Sequence, residues 1–242
     1  MASLVNAQNR TIGESAFEVG PFAYGLWRFT TPDTDEAQRL IETALGAGMN
    51  LIDTADVYGF DWGGTGFGTV EELLGRVLAQ APELRDQMVL ATKGGIRPPI
   101  PYDSGPDALR GACEDSLRRL GVEVVDLYQI HRPDLFTHPA EVAATLTALR
   151  QEGKIREVGV SNHTPAQVAA LQAHLPFPIA TTQPEYSAAT STRCETEASI
   201  RPWSSAWCRW HGAPSAAVSY THLTLPTIVR ECRSGGAPEH GS

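Results

Sequence analysis

Residues 49–59 read MNLIDTADVYG, a short apolar run that ends in Asp53 and gives way to a polar loop carrying Tyr58. The run is too brief and too apolar for a surface helix, so it reads as a buried strand of a parallel sheet. The same grammar recurs in FAYGLW (22–27), MVLATK (88–93), VVDLYQI (124–130), REVGVS (156–161) and IATTQ (179–183). Amphipathic stretches separate these six strands, which is the pattern of βα units wound on a parallel sheet.

Chemically loaded residues sit where the strands end. Asp53 closes the second strand and Lys93 the third, His131 follows the fourth, Ser161 and Asn162 the fifth, and Gln183 the sixth. Side chains at the carboxyl ends of barrel strands converge on one mouth, which favours an α/β fold of the (β/α)8 TIM-barrel type over a doubly wound sheet. About six βα units are legible, so the barrel is incomplete and the outer edges of its first and sixth strands are expected to lack partners. The preceding segment RTIGESAFEVG (10–20) alternates like a hairpin and is expected to close the bottom of the barrel. Helix starts are predicted at Thr69-Val-Glu-Glu72, Ser104-Gly-Pro-Asp107 and Thr164-Pro-Ala-Gln167, each a hydroxyl three residues before a side chain that can cap it reciprocally.

Composition narrows the function. The 242 residues carry 19 Lys and Arg against 28 Asp and Glu, a net charge of -9, with no basic cluster for a phosphate backbone or an anionic membrane. No apolar run approaches the ~18 residues that span a bilayer, and MASLVNAQNR holds no apolar export segment. Small-molecule chemistry in the cytosol is the expectation, without nucleic-acid or membrane partners; nothing in the pattern specifies an oligomeric state. Cys194, Cys208 and Cys232 make no disulfide framework with Cys113. Cys208-x-x-His211 with Cys232 lacks the two compact ligand pairs of a zinc site, so no metal is expected. The glycines of GGTGFGTVEE (63–72) match neither phosphate-binding pattern, and they follow a tyrosine loop rather than a strand.

Tyr58, Lys93, Asp53 and His131 in one pocket make an acid–base device. A phenol is a weak acid at neutral pH, and a neighbouring ammonium favours its ionised form; Lys93 is therefore expected to draw the Tyr58 pKa down. Asp53 would keep Lys93 charged and oriented, and His131 could donate to a substrate oxygen. Taken singly, each residue also reads as packing: an ion pair, a loop aromatic, a strand-end histidine. Their joint placement is harder to explain that way.

DTADVYG, LATKGG, LYQIHRPD, GKIREVGVSNHTPAQ and ATTQPEYS, in this order over roughly residues 10–188, resemble the successive signatures of the aldo-keto reductase family, its bacterial branch in particular. The resemblance implies NADP(H) as cofactor, with NAD(H) the alternative, and a small-molecule aldehyde or ketone as substrate. It assigns Asp53, Tyr58, Lys93 and His131 to the catalytic tetrad with Tyr58 as proton donor. Ser161, Asn162 and Gln183 match the residues that hold the nicotinamide carboxamide, and Trp27 the aromatic lining the substrate pocket. A non-catalytic, cofactor-sensing or partner-binding member of the same fold is the alternative reading, although a binder has no need of Lys93 beside Tyr58.

The motifs stop near Ser187, dividing the chain into a partial barrel (1–190) and a tail (191–242). Residues 190–217 lack either period yet hold three of the five tryptophans. Codons for Arg193 to Ala216 read one base earlier can spell LRDGGLDQAMELGMVPLAWSPVGG, which resembles the family's next helix and strand. VSYTHLTLPT (218–227) resembles a translated sequencing adapter, GTCTCTTATACACATCTGACGCTGCCGACG. The tail is therefore expected to be frameshifted, adapter-derived and disordered, and the chain as written to fold poorly or aggregate and to bind NADPH poorly.

Overall fold

In the computed structural model, residues 8–60 and 63–184 are described, together with the backbone of 208–210 and 227–230. Strands β1 (Arg10–Ile12) and β2 (Phe17–Val19) form an antiparallel hairpin. Then follow β3 (Phe22–Gly25), α1 (Thr34–Gly46), β4 (Leu51–Asp53), α2 (Thr69–Gln80), a 3-10 turn (Pro82–Gln87), β5 (Val89–Gly94), α3 (Pro106–Leu120), β6 (Val125–Ile130), α4 (Pro139–Gln151), β7 (Ile155–Ser161), α5 (Pro165–Gln172) and β8 (Thr181–Gln183). Strands β3 to β8 pair in chain order, all parallel, as six successive βα units require.

The two-residue period of a pleated strand sorts the core. Ala23, Leu51, Val89, Ala91 and Leu127 pack together inside the barrel with Ile12 and Val19 of the hairpin, which therefore plugs the amino-terminal end as expected. Their neighbours Ile52, Leu90, Tyr128, Val158 and Val160 face outward into the larger cluster beneath the helices. Each side chain of this size that is fully buried contributes about 1.5–3 kcal/mol. Asn50 fastens the hairpin to the barrel, accepting from the Gly20 N–H at 2.8 Å and donating to the Glu18 carbonyl at 2.8 Å.

Capping chemistry departs from the sequence expectation at two of three helices. Thr164 and Gln167 do form the reciprocal box, with Pro165 at the first helical position. Gly68 instead caps α2 at φ 81, a left-handed conformation that favours glycine, and a Cβ there would meet the Arg119 side chain. Gly105 caps α3 without a side-chain bond, and the Ser104 hydroxyl is buried without a partner among the described residues. Thr69 lies one residue inside α2, its hydroxyl donating to the Gly66 carbonyl at 3.1 Å, and Ser104 lies one residue before the α3 cap.

The outer edges of β3 and β8 are not bare. Backbone ladders from β9 (Cys208–Trp210), parallel to β8, and β10 (Thr227–Arg230), antiparallel to β3 and β9, close the barrel. This corrects the expectation of open edges: unpaired backbone groups recruit any extended segment that can satisfy them. A (β/α)8 barrel has eight parallel strands, and β10 breaks that rule. The remainder of the tail lies outside the described residues.

Candidate active site

The same alternation that buries Leu51, Ala91 and Leu127 carries polar groups to the carboxyl end of the barrel interior two residues later. Asp53, Lys93 and Gln129 are the next inward positions of β4, β5 and β6, and Ser161 and Gln183 end β7 and β8. All five are at most 6% exposed, so each needs partners to offset lost hydration. The structure supplies them.

Lys93 Nζ donates to both Asp53 oxygens at 2.7 Å, to the Thr54 carbonyl at 2.9 Å and to the Tyr58 hydroxyl at 3.2 Å. Its ammonium also lies 4.9 Å from the centre of the Tyr58 ring. Tyr58 is delivered by a tight turn after β4, in which its N–H donates to the Ala55 carbonyl and its own carbonyl accepts from Val70 at the start of α2. His131 follows β6, its N–H donating to the Gly94 carbonyl at 2.9 Å, and its ring meets Tyr58 edge-on with centroids 5.8 Å apart. The four expected tetrad residues thus converge.

Electrostatics follow from this burial. Burial opposes the Lys93 ammonium, but Asp53 and then Tyr58 more than compensate, so its pKa lies above the usual lysine value. Burial lifts the Asp53 carboxyl above the ordinary range despite Lys93. Tyr58 departs from the sequence expectation: desolvation raises its pKa by more than Lys93 lowers it, so the hydroxyl holds its proton at neutral pH. Burial, then the Lys93 and Arg132 charges, push His131 well below the imidazole range, leaving it neutral.

Beside the tetrad, Ser161 Oγ donates to the Gln183 carbonyl at 3.2 Å and accepts from Asn162 Nδ2 at 2.9 Å. Asn162 takes a left-handed φ of 57, a conformation asparagine tolerates, while its N–H donates to the Gln183 carbonyl. Gln183 Nε2 donates to Asp53 at 3.2 Å, and its Oε1 is buried without a partner among the described residues. Trp27 lies in the turn after β3, half-buried, with the Arg28 guanidinium 5.9 Å from its ring centre.

Two features escaped the sequence reading. Gln129 donates to Asp53 at 3.4 Å, and its two-residue spacing from His131 was the available signal. Asp56, inside the DTADVYG motif, is 1% exposed with neither carboxylate oxygen bonded among the described residues; burial and then Glu71 hold its pKa well above the carboxylate range. At the opposite end of the barrel, a cavity of about 570 Å³ is lined by Arg85, Asp126 and Arg156 among others. Asp126 bridges the two arginines at 2.9 Å each.

Residues 21–223 match the profile of the Aldo/keto reductase family. The chain belongs to this family. The match runs beyond the last motif at Ser187. The 6-dehydroglucose reductase of Novosphingobium aromaticivorans is 54% identical over 182 residues, covering 74% of this chain and 59% of that protein. Among solved structures, the glycerol dehydrogenase of Gluconobacter oxydans is 39% identical with a TM-score of 0.63, over 77% of this chain and 56% of that one. An aldo-keto reductase from Bacillus halodurans, in a holo form, is 28% identical with the same TM-score, over 75% and 58%. The chain thus spans somewhat under three fifths of the length of these relatives. No helix among the described residues is long and apolar enough to cross a membrane.

Proposed function

We propose that this chain carries the catalytic half of an NAD(P)H-dependent oxidoreductase that reduces an aldehyde or ketone to an alcohol, with Tyr58 as general acid. The observation that carries the reading is the Lys93 ammonium bonded at once to Asp53 and to the Tyr58 hydroxyl, with neutral His131 against the same ring. A protonated phenol is the correct state for an acid, and the adjacent ammonium stabilises the phenolate left when the proton moves to the carbonyl oxygen. Neutral His131 retains one N–H with which to hold that oxygen in line.

A reduced nicotinamide, when bound, supplies the hydride. The residues fit such a group: Gln183 Oε1 is a buried acceptor without a partner among the described residues, suited to a carboxamide N–H, and Ser161 and Asn162 lie beside it. NADP(H) is the proposed cofactor and NAD(H) the alternative, with Trp27 as one wall of the substrate pocket and the cytosol as location. A polyhydroxylated aldehyde is the first substrate class to test, because the relative from Novosphingobium is named for 6-dehydroglucose.

The test is oxidation of NADPH and NADH by the 242-residue chain, at millimolar cofactor, with 6-dehydroglucose and simple aldehydes. Turnover should appear and should fall at least about 100-fold in Tyr58→Phe. Turnover that survives Tyr58→Phe removes Tyr58 as the acid, and none with any carbonyl removes the reductase reading.

A further inference from the structure

We infer that Gln129 is a positioning residue that, opposite Gln183, clamps the Asp53 carboxylate and so sets the electrostatic field at Tyr58; the inference rests on the reductase reading above. Each oxygen of Asp53 receives one ammonium bond and one amide bond. Oδ1 accepts from Lys93 at 2.7 Å and Gln129 Nε2 at 3.4 Å, and Oδ2 from Lys93 at 2.7 Å and Gln183 Nε2 at 3.2 Å. Gln129 is itself oriented: its Oε1 accepts from Thr181 Oγ1 at 3.5 Å, which turns the amide so that Nε2 faces Asp53. Gln129 is the cross-strand partner of Lys93 and is completely buried.

A glutamine here is costly to bury, and Leu127, one inward position earlier, shows what the barrel interior otherwise takes. The neighbouring strand makes room for it. A Cβ on Gly159 would overlap Thr181 Oγ1 and come within 2.9 Å of Gln129 Cγ, so β7 leaves this position empty where the amide stands. The groups acting on the Tyr58 hydroxyl are Lys93 from β5, Asp53 from β4, and Arg132 beyond β6, with the neutral His131 ring beside it. Of these, Asp53 makes Tyr58 hold its proton more tightly, and each N–H aimed at the carboxylate offsets part of that negative charge. Lys93 bonds both oxygens and orients the pair along one axis; the two amides fix its rotation.

The experiment places a single difluorotyrosine at position 58 of the full 242-residue chain and follows its titration by fluorine NMR. Gln129→Met keeps the length and removes the donor; Gln129→Asn keeps an amide that is one methylene short of Asp53. Circular dichroism confirms that each variant is folded, and Gln129→Asn serves if Gln129→Met is not. The midpoint at position 58 should rise by about half a pH unit or more in either variant. An unmoved or lowered midpoint shows that Gln129 only fills space and overturns the inference. The readout needs no turnover, so failure of the clamp and failure of the reductase reading register in separate measurements.

Discussion

Lys93 donates at 2.7 Å to both carboxylate oxygens of Asp53, and neither side chain exposes more than 4% of its surface. Two charges withdrawn from water this completely are tolerated only together, because each supplies the solvation the other has lost. Asp53→Ala is therefore expected to cost about 3–5 kcal/mol, measured by urea unfolding, since it strands a buried ammonium. The double variant Asp53→Ala with Lys93→Met should recover a large part of that loss. If it recovers none, the pair is not what sets the cost.

Stability should depend on pH through His131. Folded His131 resists protonation, so below the ordinary imidazole value of 6.5 the unfolded chain binds a proton that the folded chain refuses. Stability conferred by the neutral ring is complete above that value and falls as pH drops through it, with a slope approaching ~1.4 kcal/mol per pH unit. His163, lowered by burial, adds in the same direction, whereas Asp56, whose pKa is raised, works in the opposite one. The difference between wild type and His131→Gln at pH 5 and pH 7 isolates the ring. Parallel unfolding curves at both pH values would contradict this.

Capping offers a direct contrast between two hydroxyls of similar sequence context. Thr164 accepts from the Gln167 N–H in a complete box, and Thr164→Ala should cost about 1 kcal/mol. Ser104 is buried with its hydroxyl unbonded among the described residues, so Ser104→Ala should be neutral or slightly stabilising. Thermal midpoints of the two variants decide it. Equal losses would place Ser104 in a cap after all.

Cofactor affinity should be low in the 242-residue chain. The proposed nicotinamide contacts are Ser161, Asn162 and Gln183, and the chain spans under three fifths of the length of its relatives. A fluorescence titration with NADPH is expected to remain unsaturated at micromolar concentrations. Tight binding at those concentrations would show that residues after β8 complete the site.

Much of this protein was legible in one dimension. Strand order followed from apolar runs too short for helices, and the convergence of Asp53, Lys93, His131, Ser161 and Gln183 followed from their position at strand ends, because a parallel barrel brings all such ends to one mouth. Thr164 announced its helix correctly, since Pro165 leaves no other start. Distances and balances were not legible. Whether Lys93 lowers the Tyr58 pKa depends on how desolvation compares with a charge 3.2 Å away, and only the closed interior makes desolvation the larger effect. Gln129 was marked only by its two-residue spacing from His131, and Asp56 by nothing local; the pleat direction of β6 and the fold of the β4 loop bury them. The sequence by itself determined the order of the βα units and which side chains reach the mouth, because both depend on local periodicity. Which of those groups share a proton, a charge or an orphaned oxygen was decided by tertiary structure alone, because burial is a property of the assembled barrel.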